Sequence, residues 1–512
     1  MKWRDNILEK ILLTILVVIL VIPITNVVPF RSLHGVVSER EKPMFTLSGF
    51  KDGSYQKDLE KYINMTYNGR EAAVRIYNQF IWTFFHKTNV ENIVIGKENW
   101  LFEPQHVEDY YQSRMYKYTD DSVAMKKKLT TNAKRLFFVQ EILKEYGKTI
   151  FVMIEPGKER FYSQYLPENT YTRKKGIVAS DYYAYLFDSL HVNCFNTLRW
   201  FEQIQDSVSF PLFPQTGTHW SNIASTYVLD SLIRYMEFVG NVNMQNVVIG
   251  SIYTAKIKEP DADLEELLNI EFPIASTKMK YANLRLLPDS AAERPRFITI
   301  GDSYFWNLSY QIPLKNIFSG YPYWYYNKTI YFDKDYNSTD DINLVEQIMN
   351  SDFIMLSYCT AQIYDLGNSF ISRALVNLCY DDEYVASIIE KIQKSMLTDS
   401  SWKASLQKKA DAQNVPLEQI LRTDAEYVLY NDLDKYFPEI ASDTVPKLRN
   451  KRINEILEIQ ENYKDVPKLA SIIHSIYLSP SWLQSIKEKA DTSALTFEDF
   501  VKREALWVYE NR

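Results

Sequence analysis

Residues 149–154 and 352–358 are nearly continuous apolar runs, and 298–303 completes a third that begins at Phe297 and stops at Gly301-Asp302-Ser303; all are rich in β-branched and aromatic side chains. Runs of that length and composition predict buried strands. Between and around them the spacing turns helical. Residues 121–147 predict a charged amphipathic helix, and 180–189, 223–238 and 341–350 predict further helices, with a strand near 191–196. Strands alternating with helices imply an α/β fold, a three-layer sandwich around a mostly parallel sheet. Two short strands joined by a turn are expected over 92–102, and a short capped helix over 261–269. The rest of 241–295 follows neither period.

The ends of the chain differ from this middle. Residues 11–28 hold no charge, and eighteen such residues just suffice to cross a bilayer core. Lys2, Arg4 and Lys10 precede the run, which predicts an N-terminus kept in the cytoplasm. A cleaved signal peptide is the competing reading, but no small-x-small site follows. The expectation is a single-pass signal anchor in the cytoplasmic (inner) membrane, with the bulk of the chain extracytoplasmic. Residues 30–90 read as linker and helical material, 91–380 as the α/β domain, and 381–512 as a helical region. The last carries an internal repeat offset by about eighty residues. Ser401-Trp402 matches Ser481-Trp482, and Lys409-Ala410-Asp411 matches Lys489-Ala490-Asp491.

Bulk composition narrows the function. A net charge of −7 and no basic stripe beyond short lysine runs give no nucleic-acid surface. The three cysteines, Cys194, Cys359 and Cys379, have no metal-type spacing, so no zinc site and no cofactor are expected. Aromatic residues make up 14% of the chain, which suits surfaces facing sugars and equally suits a tyrosine-rich background.

The candidate chemistry sits where strands end. The run from Phe297 stops at Gly301-Asp302-Ser303-Tyr304. A strand followed by a tight turn can present a serine hydroxyl beside backbone N–H groups that hold an oxyanion. Asp302 can cap that turn. The plain alternative is a strand-to-helix turn with Ser303 as N-cap. A serine needs a base. Of six histidines, His219 lies in Pro214-Gln215-Thr216-Gly217-Thr218-His219-Trp220, a loop running into a helix. Glu155-Pro156-Gly157-Lys158 follows another strand, so Lys158 can reach the same crevice or remain a solvated loop residue.

With these motifs together, the chain resembles the SGNH-hydrolase-like domain of the alginate O-acetyltransferase family. The resemblance covers roughly residues 90–375. It rests on Gly301-Asp302-Ser303-Tyr304, Thr218-His219-Trp220, the hairpin Val94 to Phe102, and Pro156-Gly157-Lys158 followed by Arg160-Phe161-Tyr162. It implies acetyl transfer to a secreted polysaccharide, with Ser303 as nucleophile and His219 as base. Lys158, Asp302, Tyr304 and Trp220 are then candidates for oxyanion or substrate contact. It also implies a membrane-bound O-acyltransferase protein as acetyl donor. One departure stands out. The family pattern has an aspartate two residues before the histidine, and here that position is Gly217. A Ser–His dyad, a carboxylate from elsewhere such as Glu155, or a lost activity would each account for it. Two rival readings follow: an acetyl esterase on the same site, and a non-catalytic glycan-binding or assembly protein with a degenerate active site.

Overall fold

The computed structural model describes residues 2–21, 31–35, 41–168, 170–274, 278–442, 444–447 and 450–462. Beyond these it describes 469, 472–473, 476–477, 479–491 and 496–511. In chain order the first elements are helices α1 (Lys2–Val21), α2 (Leu47–Asp52), α3 (Ser54–Thr66) and α4 (Arg70–Phe85). A small hairpin of β1 (Val94–Ile95) and β2 (Leu101–Phe102) follows, then α5 (Pro104–Tyr110) and α6 (Ser122–Lys144). Next come β3 (Thr149–Glu155), α7 (Lys158–Phe161), α8 (Ala179–Leu190), β4 (Cys194–Asn196), α9 (Thr197–Ile204) and α10 (Asn222–Gly240). The long hairpin β5 (Val247–Lys256) and β6 (Lys278–Leu286) flanks α11 (Asp263–Leu267). The remaining strands are β7 (Phe297–Gly301), β8 (Tyr323–Tyr325), β9 (Thr329–Tyr331) and β10 (Phe353–Cys359), with α12 (Tyr304–Ser309), α13 (Leu344–Met349) and α14 (Phe370–Cys379) among them.

The main sheet has six strands in the order β4-β3-β10-β7-β8-β9. Every neighbouring pair is parallel except β8 with β9, so the sheet is mixed. Side chains alternate across it, as a pleated strand requires. Ile150, Val152, Ile154, Ile298, Ile300, Ile354 and Leu356 join one core, which α6, α8 and α14 cover. Phe151, Met153, Phe297, Phe353 and Met355 join the other, under α10 and α12. Burial on both faces explains why these strands read as unbroken apolar runs.

From Asp382 onward every described element is a helix. Those up to residue 462 continue the first core: Leu406, Ala410, Leu421, Ala425, Leu429, Ile453 and Ile456 belong to it. Arg135 of α6 pairs with Asp434 at 2.9 Å, and Gln460 donates to the Met349 carbonyl at 3.2 Å. The helix Pro480–Asp491 and the helix Phe497–Asn511 build a smaller core of their own. Trp402 is half-buried against the first core and Trp482 against the smaller one.

The expected membrane helix is corrected. Among the described residues no helix is long and apolar enough to cross a membrane. α1 starts at Lys2, so its first half carries Lys2, Arg4, Asp5, Glu9 and Lys10. It ends at Val21, before the end of the uncharged 11–28 run, whose residues 22–28 lie outside the described ones. At about 1.5 Å per residue, the apolar part from Ile11 to Val21 reaches about half of a bilayer core of about 30 Å. The fold is therefore an α/β sandwich with a mixed sheet and a large helical complement, with no membrane-crossing helix among the described residues. The inner-membrane, single-pass placement loses its basis with it.

Candidate active site

β7 ends where the sheet's strands open onto loops. Gly301 lies against Ser357 of β10: a Cβ at 301 would run into the Ser357 carbonyl and lie 2.9 Å from its Cβ. Glycine here serves a close approach of two strands. The chain then turns at Asp302. Its carboxylate is buried and accepts from the Tyr304 amide at 3.1 Å and the Cys359 amide at 2.8 Å. That fixes the turn on two sides and leaves Ser303 half-buried at the mouth of α12.

His219 comes from the loop between α9 and α10. Ser221 caps α10 by accepting from the Ala224 amide, and the loop carbonyls before it are each held. The Lys158 ammonium donates to the carbonyls of Pro214, Gln215 and Gly217. The Glu265 amide donates to Thr216 at 3.1 Å, and the Tyr304 hydroxyl donates to Thr218 at 3.3 Å. Five consecutive carbonyls are thus satisfied, which pins an irregular backbone that would otherwise be costly to bury.

The two motifs meet. His219 Nε2 lies 2.9 Å from Ser303 Oγ, across 84 residues of chain. On the far side of the ring, His219 Nδ1 lies 2.7 Å from Asp263 Oδ2. The other Asp263 oxygen accepts from the Thr218 amide at 2.8 Å, so the carboxylate grips both the ring and its backbone. Hydroxyl, imidazole and carboxylate form one line, the arrangement of a serine triad.

Gly217 explains how the acid arrives from elsewhere. A Cβ there would stand 2.7 Å from the Asp261 carbonyl oxygen and 2.8 Å from Pro214 Cγ. The segment leading into α11 occupies that space. Asp261 itself is buried and accepts from the Asn222 amide at 2.8 Å, which ties the segment to the start of α10. The carboxylate missing two residues before the histidine is supplied by Asp263, two residues beyond the Asp261 backbone that packs on Gly217.

Electrostatics agree with this pairing. Burial is the largest influence on His219 and works against its charge. The hydrogen bond and charge of Asp263, aided by Glu103 and Asp302, outweigh it and raise the imidazole above its usual 6.5. Lys158 goes the other way: burial pulls its ammonium down to about 7, against the opposing pull of Asp263, Glu159 and Glu103.

No family model and no curated protein matches this chain. Several solved structures are similar to it. The O-acetyltransferase domain of Pseudomonas putida AlgJ is 14% identical, covering 58% of this chain and 97% of its own, with a TM-score of 0.35. Pseudomonas aeruginosa AlgX is 10% identical over 55% of this chain and 65% of its own, at 0.32. Bacillus cereus PatB1 with a sulfonyl adduct is 11% identical over 46% and 90%, at 0.30. Values this low assign no family, and the site rests on its own geometry.

The remaining candidates fall into place around the triad. Glu155 is not behind the imidazole. It is buried at the end of β3, accepts from the Ser357 hydroxyl, and is pushed well above the carboxylate range by burial and by Asp302. Lys158 is buried rather than solvated, and its three donors are engaged by the histidine loop, so it holds that loop instead of an oxyanion. Its ammonium also rests over Phe102 at 4.9 Å and Trp100 at 5.6 Å, which gives the β1–β2 hairpin its place beside the site. Tyr304 is buried edge-on against the His219 ring at 4.8 Å, and Trp220 packs in the core at 5.3 Å from Tyr304. Neither ring faces a substrate. Asp263 had no mark in the sequence beyond opening an acidic helix after Pro260; the vacancy at Gly217 was the one hint that an acid had to come from elsewhere. Among the described residues, one group outside the site has metal-ligand spacing: His34, Glu259 and Glu266, whose ligand atoms lie within 4.8 Å of one another, none of them buried.

Proposed function

We propose that this protein is a serine O-acyltransferase that moves acetyl groups onto carbohydrate hydroxyls. The observation that carries the reading is the unbroken line Ser303 Oγ–His219–Asp263, with contacts of 2.9 and 2.7 Å. Ser303 attacks the acetyl carbonyl while His219 Nε2 takes its proton. The Asp263 carboxylate holds Nδ1–H and stabilises the imidazolium. The backbone N–H of Ser303 is the oxyanion donor. The tetrahedral intermediate collapses to an acetyl ester on Ser303 as the donor's leaving group receives the proton. A sugar hydroxyl then attacks that ester, again deprotonated by His219, and Ser303 is regenerated. On this reading a polysaccharide is the acceptor and a membrane-bound O-acyltransferase protein the donor, as the sequence resemblance implies. The non-catalytic alternative rests on Gly217 and on the added helical repeat; the contact between Asp263 and His219 speaks against the first of these.

The test is partition of the acetyl group. An activated acetyl ester is supplied with and without an oligosaccharide acceptor, and both free acetate and acetylated sugar are measured. Transfer predicts acetylated sugar that increases with acceptor at the expense of acetate. Acetate alone, unchanged by any acceptor, would make the protein an esterase.

A further inference from the structure

α12 alternates in helical register between closed and open positions. Tyr304, Phe305, Asn307 and Leu308 are buried, whereas Ser303 and Trp306 are half-buried and Tyr310 is 65% exposed. The spacing from 303 to 306 to 310 sets these three on one side of the helix. The reacting hydroxyl and two large rings therefore share a single solvent-facing stripe.

The β8–β9 hairpin widens that stripe. Trp306 meets Tyr331 edge-on at 4.8 Å and Phe332 at 5.5 Å, and lies nearly parallel to Tyr310 at 6.2 Å. Tyr331 and Phe332 stay 39% and 43% exposed. Phe332 holds φ +60 and Tyr326 φ +50, a region bulky residues rarely adopt. Core packing does not account for a large ring kept in solvent on such a backbone. The hairpin is also keyed to the nucleophile strand: Tyr325 is in register with Gly301, and the Tyr326 amide donates to the Gly301 carbonyl at 2.8 Å.

Charge near the site narrows what can lie there. Glu103 keeps 26% of its side chain exposed, and its charge is felt at both His219 and Tyr325. Lys158, the ammonium beside the histidine loop, is buried and bound to carbonyls, so it offers nothing to an incoming anion. Open aromatic faces suit the C–H faces of pyranose rings, while the part-exposed Glu103 carboxylate, which faces His106 at 3.8 Å and adds its charge to those of Asp263 and Asp302 felt at His219, disfavours uronic acids.

The geometry points to Trp306, Tyr310, Tyr331 and Phe332 as the acceptor subsite, and to an uncharged glycan, not a polyuronate, as the acceptor. This inference rests on Ser303 being the acyl carrier, but its test does not. Full-length protein with Ser303→Ala binds without turning over. It is titrated with cellohexaose, mannohexaose and N-acetylated chitohexaose, and with a mannuronate hexamer, by calorimetry and tryptophan fluorescence at low and high salt.

At least one neutral hexamer should bind saturably. It should bind about tenfold tighter than the mannuronate hexamer at low salt, with the gap narrowing as salt rises. Adding Trp306→Ala should weaken that binding about tenfold or more. Tyr310→Ala, at so exposed a position, should weaken it without lowering the melting temperature. Tighter mannuronate binding, no saturable binding of any neutral hexamer, or binding untouched by either ring substitution overturns the inference. Self-association through this face, lost in Tyr310→Ala, would overturn it in favour of a second copy. Glycan binding without acetylation of Ser303 in the unsubstituted protein would sink the acyl-transfer reading and leave these rings a neutral-glycan site without an acceptor role; acetylation without glycan binding would overturn the subsite and spare acyl transfer.

Discussion

Replacing Gly217 by aspartate restores on paper the motif that the sequence resembles and, on the proposed reading, should impair turnover. The Cβ of any residue at 217 would stand 2.7 Å from the Asp261 carbonyl oxygen and 2.9 Å from its carbon, where ordinary contact begins near 3.4 Å. The segment into α11 must then retreat by about 0.7 Å, and it carries Asp263 with it. Overpacking of this kind costs about 1–3 kcal/mol, which in an unfolding unit of this size lowers the melting temperature by about 1–4 °C. Misplacing a catalytic group by about 1 Å costs about 100-fold in rate. Gly217→Ala isolates the steric part and should lose about 10- to 100-fold in turnover of an acetyl ester. Gly217→Asp should lose at least as much, because it adds a third carboxylate beside Asp261 and Asp263. Steady-state turnover and a thermal melt on both variants decide the matter. Wild-type or better turnover in Gly217→Asp would show that the acid works from two residues before the histidine, and the argument for Asp263 would be wrong.

Other consequences follow from the same geometry. Asp263→Asn should lower kcat by about 10³- to 10⁴-fold, with KM little changed. The wild-type rate should rise with pH as His219 loses its proton, with a midpoint above the usual 6.5. In Asp263→Asn that midpoint should fall, because the influences of Asp263 vanish while burial remains; an unmoved pH profile would count against the pairing. Lys158→Met leaves the carbonyls of 214 and 217 without this donor, at about 1–3 kcal/mol each, while that of 215 keeps the Leu101 amide, and should cut both stability and kcat. Lys158 is held at about 7 in the fold against 10.5 when free, so the unfolded chain binds more protons between those values. Wild-type stability should therefore climb with pH across that window, and Lys158→Met should flatten the climb in pH-resolved denaturant melts. Glu155 keeps its proton above its usual 4.5, so its contribution to stability declines as pH rises past that value. Glu155→Gln mimics the protonated form and should melt no lower than wild type at pH 8, with the His219 midpoint unmoved.

What the sequence discloses here is local, and what it hides is tertiary. Strands buried on both faces announce themselves as apolar runs, and β3, β7 and β10 lie close to where those runs predict them. Ser303 and His219 sit in turns whose glycine, proline and capping residues are contiguous in the chain. Asp263 is different: it is 44 residues beyond the histidine and reaches it only because Gly217 leaves room. The β5–β6 hairpin escaped notice because β5 is largely exposed along its length, so no alternation of apolar and polar residues marks it. Lys158 looked like a loop lysine with a choice of crevice or solvent, and only the fold shows three carbonyls closing on it. The apolar run near the N-terminus misled for the opposite reason. Its length and lack of charge suit a span, but α1 extends back through five charged residues, and only Ile11–Val21 of the run lies among its described residues.

The most direct test of the triad is to follow label into the protein itself. Full-length wild type, Ser303→Ala and Asp263→Asn are incubated with an isotopically labelled acetyl ester, quenched at intervals, and digested for peptide mass spectrometry. The acetyl mass should appear on the peptide containing Ser303 in wild type, be absent from Ser303→Ala, and accumulate about 10³-fold more slowly in Asp263→Asn. Label on another residue, or labelling of Ser303 at an unchanged rate in Asp263→Asn, would contradict the account.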